Sequence, residues 1–420
     1  MLRIKNDSTV LDFSHFKGIN QNFVIASISE ATQSRASLKF CTGLIVWTLP
    51  LFEKGFVVSQ NENETFIQTK IGGSIMKDIK VLGIDLAKDV FQLHGTDAKG
   101  HGVLRKRLSR GKLIEYTANL TPCLIGIEAC GGSHYWARVF GSQGHTVKIM
   151  APQFVKPYVK SNKNDARDAE AIAEAVTRPT MRFVPIKGIE QQDVLMLHRV
   201  RELAMKERTA HGNQIRGLLA EYGIVVPKGL SHLDALPELL ELHQGKLSLV
   251  SKEIFIQLHE QLKIYSEQVT HYDKKIKQHA ATEPRCIAIQ KIEGVGPITA
   301  SAIVATISDP SVFKNGREVS AWLGLVPKQH SSGNRIILGG ITKRGDRYIR
   351  KLLVHGARAV VKTCENKTDK RSEWVADKKQ RCGYNKASVA VANKNARIIW
   401  AVLASGECYR GSSFNEAQSA

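Results

Sequence analysis

The sequence predicts an α/β domain followed by a long helical segment and a basic, mainly α-helical domain. Short apolar runs alternate with helical runs between residues 76 and 187, which is typical of an α/β domain. Apolar residues then recur at helical spacing across residues 188–285, which predicts long helices. Residues 286–420 combine glycine turns with Ala-rich and Lys/Arg-rich stretches, which favours short helices around a nucleic-acid-binding surface.

The α/β domain is predicted to begin with a strand at residues 81–85, paired in a hairpin with a strand at residues 90–95. The remaining elements are helices at 112–119, 136–143 and 165–176 and strands at 123–128 and 146–150. Because strands interleave with helices, we expect one sheet with helices on both faces.

Residues 1–75 precede this domain and contain no clear motif, whereas the dense strand pattern begins just after Met76. The pair Gly72-Gly73 stands shortly before Met76, and two glycine codons there can form a purine-rich ribosome-binding site. We therefore interpret Met76 as the natural start and residues 1–75 as an upstream extension. A genuine N-terminal arm is the alternative.

The helical segment, residues 188–285, is predicted to form two antiparallel helices with a break around residues 223–237. Its heptads are irregular, but the arrangement is coiled-coil-like. We expect this stalk to space the flanking domains or to pair two protomers.

The charge of the chain indicates a polyanionic partner. Lys and Arg number 60 against 39 Asp and Glu, which gives a net charge of +21. Residues 311–420 alone hold 21 basic and eight acidic residues, an excess that favours phosphate contact. No apolar run reaches the roughly 18 residues that span a bilayer. The seven cysteines form no CxxC pair, which indicates free thiols in a reducing cytosol and excludes a disulfide framework or a zinc site.

Four carboxylates are candidates for a metal site. Asp85 and Glu128 each end a predicted strand, where ligands gather in an open α/β sheet. Asp165 and Asp168 lie one turn apart on one face of a predicted helix. Oxygen ligands suit Mg²⁺ or Mn²⁺, and two such ions would clamp a phosphodiester. The alternative is that Asp165 and Asp168 stabilise a helix N-terminus while Glu128 is an exposed strand-end acid.

Two glycines, Gly294 and Gly296, belong to a Gly-Val-Gly-Pro turn that opens an Ala-rich helix. This order is typical of a helix-hairpin-helix element, in which backbone amides approach a phosphate.

Ser332 precedes Gly333 in a segment predicted to be a flexible loop, and it is a candidate nucleophile. Basic residues follow in the sequence, and they would stabilise the negative charge that develops on the phosphate during attack or would contact nucleic acid. These residues are Arg335, Lys343, Arg344, Arg347 and Arg350. The alternative is an ordinary surface loop.

From Met76 to about Arg410 the chain resembles the insertion-sequence one-ten family of transposases, close to its eleven-eleven subgroup. The resemblance is carried by Gly83-Ile84-Asp85, by Glu128 and by the segment from Lys163 to Ala169. In the C-terminal half it is carried by GVGP, by GLVP…SSG and by LGGITKRGDRYIRKLL.

The resemblance implies a RuvC/RNase H-like catalytic domain at 76–187, the stalk at 188–285 and a C-terminal transposase domain at 286–420. It implies that Asp85, Glu128, Asp165 and Asp168 hold Mg²⁺ and that Ser332 attacks DNA to form a 5′-phosphoserine. The implied partners are donor and target DNA, a structured noncoding bridge RNA and further copies of the chain, as a dimer or tetramer. The implied location is the bacterial cytoplasm, at the nucleoid and without a membrane.

Two other functions remain open. One is a RuvC-like, metal-dependent Holliday-junction nuclease in which an activated water attacks and Ser332 is idle. The other is a non-catalytic DNA-binding protein that uses only the basic domain.

Overall fold

The computed structural model describes residues 79–160, 165–333 and 335–409, together with four strands nearer the N-terminus. The chain divides into two compact units, Met1–Lys77 and Asp78–Ala420. The first unit contains two antiparallel hairpins, β1 (Ser37–Cys41) with β2 (Leu44–Thr48) and β3 (Phe56–Asn61) with β4 (Glu64–Thr69). Met76 lies outside the described residues, so the late start stays a prediction.

The second unit opens with a six-stranded sheet in the order β10-β9-β8-β5-β6-β7. The strands are β5 (Val81–Asp85), β6 (Val90–Thr96), β7 (Gly102–Ser109), β8 (Leu124–Glu128), β9 (Thr146–Met150) and β10 (Phe183–Val184). The central strands β5, β8 and β9 are parallel, and the flanking strands pair antiparallel. All the predicted strands are confirmed, whereas β7 and β10 were not predicted.

Helices cover both faces of this sheet, as predicted. They are α1 (Arg110–Ala118), α2 (Ser133–Ser142), the short α3 (Pro152–Val155) and α4 (Asp165–Val176). On one face, the Trp136 ring of α2 packs 4.9 Å from the Phe91 ring. On the other face, α4 lies so close to β5 that a Cβ at Gly83 would be 2.3 Å from the Ala169 carbonyl oxygen. Only glycine fits such an approach of helix to strand.

The stalk contains two long helices, α5 (Ile189–Glu221) and α7 (Leu249–Thr282), joined through the short α6 (Leu236–Leu242). Arg201 forms an ion pair with Asp273, and Tyr222 packs edge-on against Phe255. Since early residues of α5 contact late residues of α7, the helices are antiparallel, and the predicted helix pair is confirmed.

In the described residues from 284 to 409, the C-terminal part contains six α-helices and one hairpin. The helices are α8 (Pro284–Gln290), α9 (Pro297–Thr306), α10 (Gly316–Trp322), α11 (Arg347–Thr363), α12 (Lys370–Cys382) and α13 (Tyr384–Ser405). Apolar side chains from all of them form one buried cluster. The strands β11 (Pro327–Ser332) and β12 (Arg335–Ile341) pair antiparallel, and every described residue in them is exposed except the half-buried Ile341.

This hairpin corrects the prediction of a flexible loop at Ser332. The Ser and Gly content of the segment is typical of loops. Regular backbone pairing of Ser332 with Arg335 and of Ser331 with Ile336 nevertheless makes it a β-ribbon.

In the described part of the chain, no helix is long and apolar enough to cross a membrane. The cysteines whose side chains the structure describes are free thiols.

Candidate active site and nucleic-acid interface

The sheet brings Asp85 and Glu128 to the same edge. Ile84 and Ile127 are register partners in the parallel pair β5–β8, and each acid follows one residue later. Neighbouring strands lie roughly 4.8 Å apart, and alternate side chains share a face. Gly83 and Gly126, two residues before the acids, face α4. Asp85 and Glu128 therefore project from the carboxyl ends of adjacent strands on the α4 side.

Helix α4 carries the other two predicted acids. Asp168 is half-buried and directly precedes Ala169, whose carbonyl lies over Gly83. Later residues of α4 form a cluster with Val81 and Leu124, the first residues of β5 and β8. The helix thus extends from the glycines towards the beginnings of the strands, and its first turn lies on the side of their carboxyl ends. Asp165 begins α4, but its side chain is outside the described residues.

Cys130 lies just beyond β8, and the charges of the two strand-end acids affect the pKa of its thiol. Burial raises the pKa of its thiol, and the charges of Glu128 and then Asp85 raise it further. The thiol of Cys130 therefore lies near both carboxylates. Carboxylate oxygens are the donors that Mg²⁺ and Mn²⁺ prefer, so this pair fits such an ion.

The complete tetrad is not brought together by the described side chains. Among them, no group of three or more His, Cys, Asp or Glu residues is close enough to hold a metal ion. The side chain of Asp165 lies outside this comparison. The four-carboxylate metal site therefore stays a prediction, supported at Asp85 and Glu128 by geometry.

Ser332 lies at the tip of the β11–β12 hairpin, directly opposite Arg335. The next pair on the same face, two residues from the tip, joins His330 to Ile337. Ser332 therefore shares its face with a guanidinium and an imidazole, which suits an anionic substrate.

Ser331 lies on the opposite face. Its cross-strand partner is Ile336, whose side chain is 70% exposed. The Ser331 hydroxyl accepts a hydrogen bond from Gln329 Nε2 at 2.9 Å. The hairpin thus places the two serines on opposite faces: Ser332 shares its face with Arg335, and Ser331 shares its face with Gln329 and Ile336.

Ser332 is exposed at the hairpin tip, whereas Asp85 and Glu128 are half-buried at the ends of β5 and β8. The two halves of the predicted composite site lie on separate elements, the hairpin tip and the sheet edge.

The basic segment after the hairpin is held at a fixed place. Its Lys343, Arg344 and Arg347 are exposed. The predicted contact Arg350 is half-buried, and its Nη1 donates to the carbonyls of Leu323 at 2.9 Å and Arg344 at 2.7 Å. Arg350 therefore positions the segment, while the three exposed cations are open to a ligand.

The Gly-Val-Gly-Pro turn connects α8 and α9. Gly294 has φ +82°, and a Cβ there would lie 2.9 Å from the Gly356 carbonyl oxygen of α11, so packing requires this glycine. Gly296 precedes the first turn of α9, and a Cβ there would meet no atom within 4 Å. A groove of about 450 Å³ along the turn leaves this backbone accessible.

Comparison with known proteins is decisive for the family. The transposase family model of the DEDD IS110 type matches residues 82–224, and the one described as "Transposase IS116/IS110/IS902 family" matches residues 286–373. The chain belongs to this family. It is 47% identical over 331 residues to the "Probable family 20 transposase" of Pseudomonas aeruginosa, covering 78% of this chain and 98% of that protein.

Two further relatives are transposases of named insertion sequences. The transposase for IS1111A of Coxiella burnetii is 43% identical over 362 residues, which cover 86% of this chain and 99% of the relative. The transposase for IS1328 of Yersinia enterocolitica is 38% identical over 334 residues, which cover 80% of this chain and 99% of the relative. The predicted family is thus confirmed, and the predicted subgroup agrees with the IS1111A relative.

The structure of this IS110-family member also shows residues that the sequence did not single out. His198 of α5 is buried and contacts Tyr348 at 3.0 Å and Ser301 at 3.1 Å. Burial lowers the pKa of His198 to about 4. These residues join the stalk to α9 and α11, and no local pattern marks them because their separations exceed 100 positions.

A second buried network lies beneath the Gly-Val-Gly-Pro turn. Arg371 Nη2 donates to Asn395 Oδ1 at 2.6 Å, and Asn395 Nδ2 donates to the Glu293 carbonyl at 2.9 Å. The turn that presents Gly296 is therefore fixed by α12 and α13.

Proposed function

We propose that this transposase cuts and rejoins DNA with a divalent-metal site on the sheet and a serine nucleophile on the hairpin. The observation that carries the proposal is the convergence of Asp85 and Glu128 at one sheet edge, on the face covered by α4. The sheet order, with an antiparallel hairpin leading into parallel strands, supports a RuvC-like fold for this domain.

In this proposal Asp85, Glu128, Asp165 and Asp168 hold Mg²⁺ or Mn²⁺, which supplies positive charge to the oxygens of the scissile phosphodiester when bound. Two adjacent carboxylates repel each other, and a hard cation removes that repulsion. Asp85 and Glu128 would position the ion, because their adjacent strands hold both acids at one edge of the sheet.

Ser332 attacks the phosphorus in the proposed cleavage step. A bond forms between Ser332 Oγ and phosphorus as the bond from phosphorus to the 3′ oxygen breaks. The serine loses its proton, and the 3′ oxygen leaves as a hydroxyl, so the product is a 5′-phosphoserine. Arg335 and His330 on the same face would stabilise the charge on the phosphate oxygens. Rejoining reverses the step with a 3′-hydroxyl of another strand.

We propose that the two halves of the site come from different protomers. The hairpin tip is exposed in the single chain, and the antiparallel stalk offers a dimerisation element. Recombination also requires several strands to be held at once, which a dimer or tetramer provides.

The proposed nucleic-acid partners are donor DNA, target DNA and a noncoding bridge RNA. Lys343, Arg344 and Arg347 supply exposed charge. We assign α8, the turn at Gly296 and α9 to a helix-hairpin-helix contact with a backbone phosphate. Sequencing RNA that co-purifies with the protein tests the RNA partner, and recovery of only heterogeneous cellular RNA would contradict it.

Trapping of the covalent intermediate tests the nucleophile. A ³²P-labelled duplex of the element's end is incubated with Mg²⁺, and protein–DNA adducts are resolved by denaturing electrophoresis. We expect the adduct to disappear in Ser332→Ala and to persist in the matched control Ser331→Ala. The reverse pattern would move the nucleophile by one residue. Cleavage by the unmodified protein without any adduct would favour the water-activating nuclease, and absence of cleavage with retained binding would favour the non-catalytic protein.

Mixing of two inactive variants tests the shared site. Asp85→Asn weakens metal binding because an amide oxygen is a poorer ligand than a carboxylate, and Ser332→Ala removes the nucleophile. If protomers exchange halves, the mixture should recover part of the strand-transfer activity that each variant lacks. No recovery in co-expressed mixed oligomers would place both halves in one chain.

A further inference from the structure

A cluster of Lys, Arg and His side chains lies where α2, the chain entering α5 and the start of α11 meet. His134 and Arg138 belong to α2, Lys187 immediately precedes α5, and Arg199 belongs to α5. Lys187 and His134 are half-buried and Arg199 is exposed, so the cluster is formed by packing and is open on one side. The proposed cleavage chemistry does not use it.

Backbone contacts fix the two central residues of the cluster. The Lys187 amide N–H donates to His134 Nδ1 at 3.3 Å, and Arg138 Nη1 donates to the Lys187 carbonyl at 2.7 Å. A backbone amide can only donate, so Nδ1 accepts and the neutral imidazole carries its proton on Nε2. The ring is neutral at pH 7 because burial, and then the charges of Lys187, Arg138 and Arg199, lower the pKa of His134 to about 4.

The protonated Nε2 then points at another donor. Lys187 Nζ lies 3.3 Å from His134 Nε2, and an ammonium group has three donors and no acceptor. Asp346 is the acid whose charge raises the pKa of Lys187, against the larger effects of burial and Arg199. However, Asp346 Oδ1 already accepts a hydrogen bond from the Ile349 amide at 2.9 Å as the cap of α11. A negatively charged oxygen bound beside these two nitrogens, within hydrogen-bond distance of each, would accept from both donors.

We infer that His134, Lys187 and Arg199 form a binding site for a backbone phosphate of a nucleic acid. Asp346 belongs to the same segment as the exposed Arg344 and Arg347, so a strand contacting that segment passes close to the cluster. The site would anchor the strand at the joint between the sheet domain and the stalk. This inference rests on the proposed action on nucleic acid but not on the serine mechanism.

The salt dependence of binding tests the site. Binding of the full chain to a fluorescein-labelled 20-base-pair duplex, and to a single-stranded RNA of matched sequence, is measured by anisotropy at several salt concentrations. Lys187→Gln should lower the slope of log K against log salt by about one unit for the nucleic acid that occupies the site. The matched control is Lys112→Gln, which removes the same charge from exposed α1 of the same domain and should leave the slope unchanged. Loss of slope with duplex alone identifies DNA, and loss with RNA alone identifies RNA.

The pH dependence provides the second measurement. Because Nδ1 accepts from the Lys187 amide, the imidazole donates to the phosphate in its neutral form, so binding by the unmodified chain should stay constant as pH falls from 7 to 5. His134→Ala removes the Nε2 donor and should weaken binding by the same factor at both pH values. Arg199 is exposed, so Arg199→Gln leaves the packing intact, and its slope decides the matter if Lys187→Gln unfolds.

Equal slopes in Lys187→Gln, Arg199→Gln and the control, with both probes, would overturn the inference. Acylation of the Lys187 amine at pH 7 at the same rate with and without nucleic acid would also overturn it, since a bound phosphate should shield that amine. Failure of the serine mechanism is recognised separately, by the absence of a covalent adduct.

Discussion

The contact between α4 and β5 gives a prediction that can be worked from distances. In Gly83→Ala, the added Cβ would lie 2.3 Å from the Ala169 carbonyl oxygen, 2.6 Å from the Ala173 nitrogen and 2.9 Å from the Ala173 Cβ. Two of these atoms are backbone, so no rotamer change removes the clash. The helix must move as a unit.

The size of the displacement sets the expected effect. Carbon–oxygen contacts are comfortable at about 3.4 Å, so α4 must move away from β5 by about 1 Å. Overpacking of this kind costs about 1–3 kcal/mol of the free energy of unfolding. The same shift displaces Asp168, a proposed metal ligand, relative to Asp85, and a misplacement of about 1 Å at a reacting centre costs about 10²-fold in rate. We expect both losses together.

The assay combines thermal unfolding with Mg²⁺-dependent strand transfer on a labelled element end. The matched control is Gly111→Ala on α1, where a Cβ would meet no atom within 4 Å. Alanine has the higher helix propensity by up to about 1 kcal/mol, so this variant should be slightly more stable and fully active. A Gly83→Ala protein with the melting temperature and rate of the unmodified chain would refute the packing of α4 on β5.

Three further outcomes are expected. Burial lowers the pKa of His198 to about 4 from 6.5, so the unfolded chain binds a proton at higher pH than the folded chain does. About 3 kcal/mol of the free energy of unfolding should therefore be lost as pH falls from 6.5 to 4. Thermal unfolding of His198→Gln should not show this loss. Combined replacement of Lys343, Arg344 and Arg347 by Gln should lower the salt slope of DNA binding by up to about three units, and an unchanged slope would place phosphate contact elsewhere. Asp369 caps α12 by accepting from two backbone amides at 3.0 and 3.1 Å, so Asp369→Ala should cost about 1 kcal/mol in chemical denaturation, and an unaltered midpoint would contradict the cap.

Elements with a strong local pattern were predicted from the sequence to the residue. The strand Thr146–Met150 and the helix Asp165–Val176 begin and end where the apolar pattern does. Strand β7 was missed because it carries Arg105, Lys106 and Arg107 in succession, all exposed. Its place in the sheet comes from pairing with β6, which no local pattern encodes.

The same distinction applies to the site. The convergence of Asp85 and Glu128 was predictable, since parallel strands bring their carboxyl ends to one edge. The partnership of His134 with Lys187 spans 53 positions and depends on how α2 packs beside the entry to α5. The different surroundings of Ser331 and Ser332 depend on the register of a hairpin whose composition is typical of a loop.

The stalk is a hairpin, and this shape has a consequence for how its length can change. The chain enters and leaves it at one end, where Glu202 pairs with Lys351 of α11 and His198 contacts Tyr348. At 1.5 Å per residue, the 33 residues of α5 extend about 50 Å from that end. Matched whole turns added to or removed from both α5 and α7 near the far end would alter the reach of the arm and leave the spacing at its base unchanged. The far end is thus a natural place to insert a fluorescent or affinity module without disturbing the chemistry.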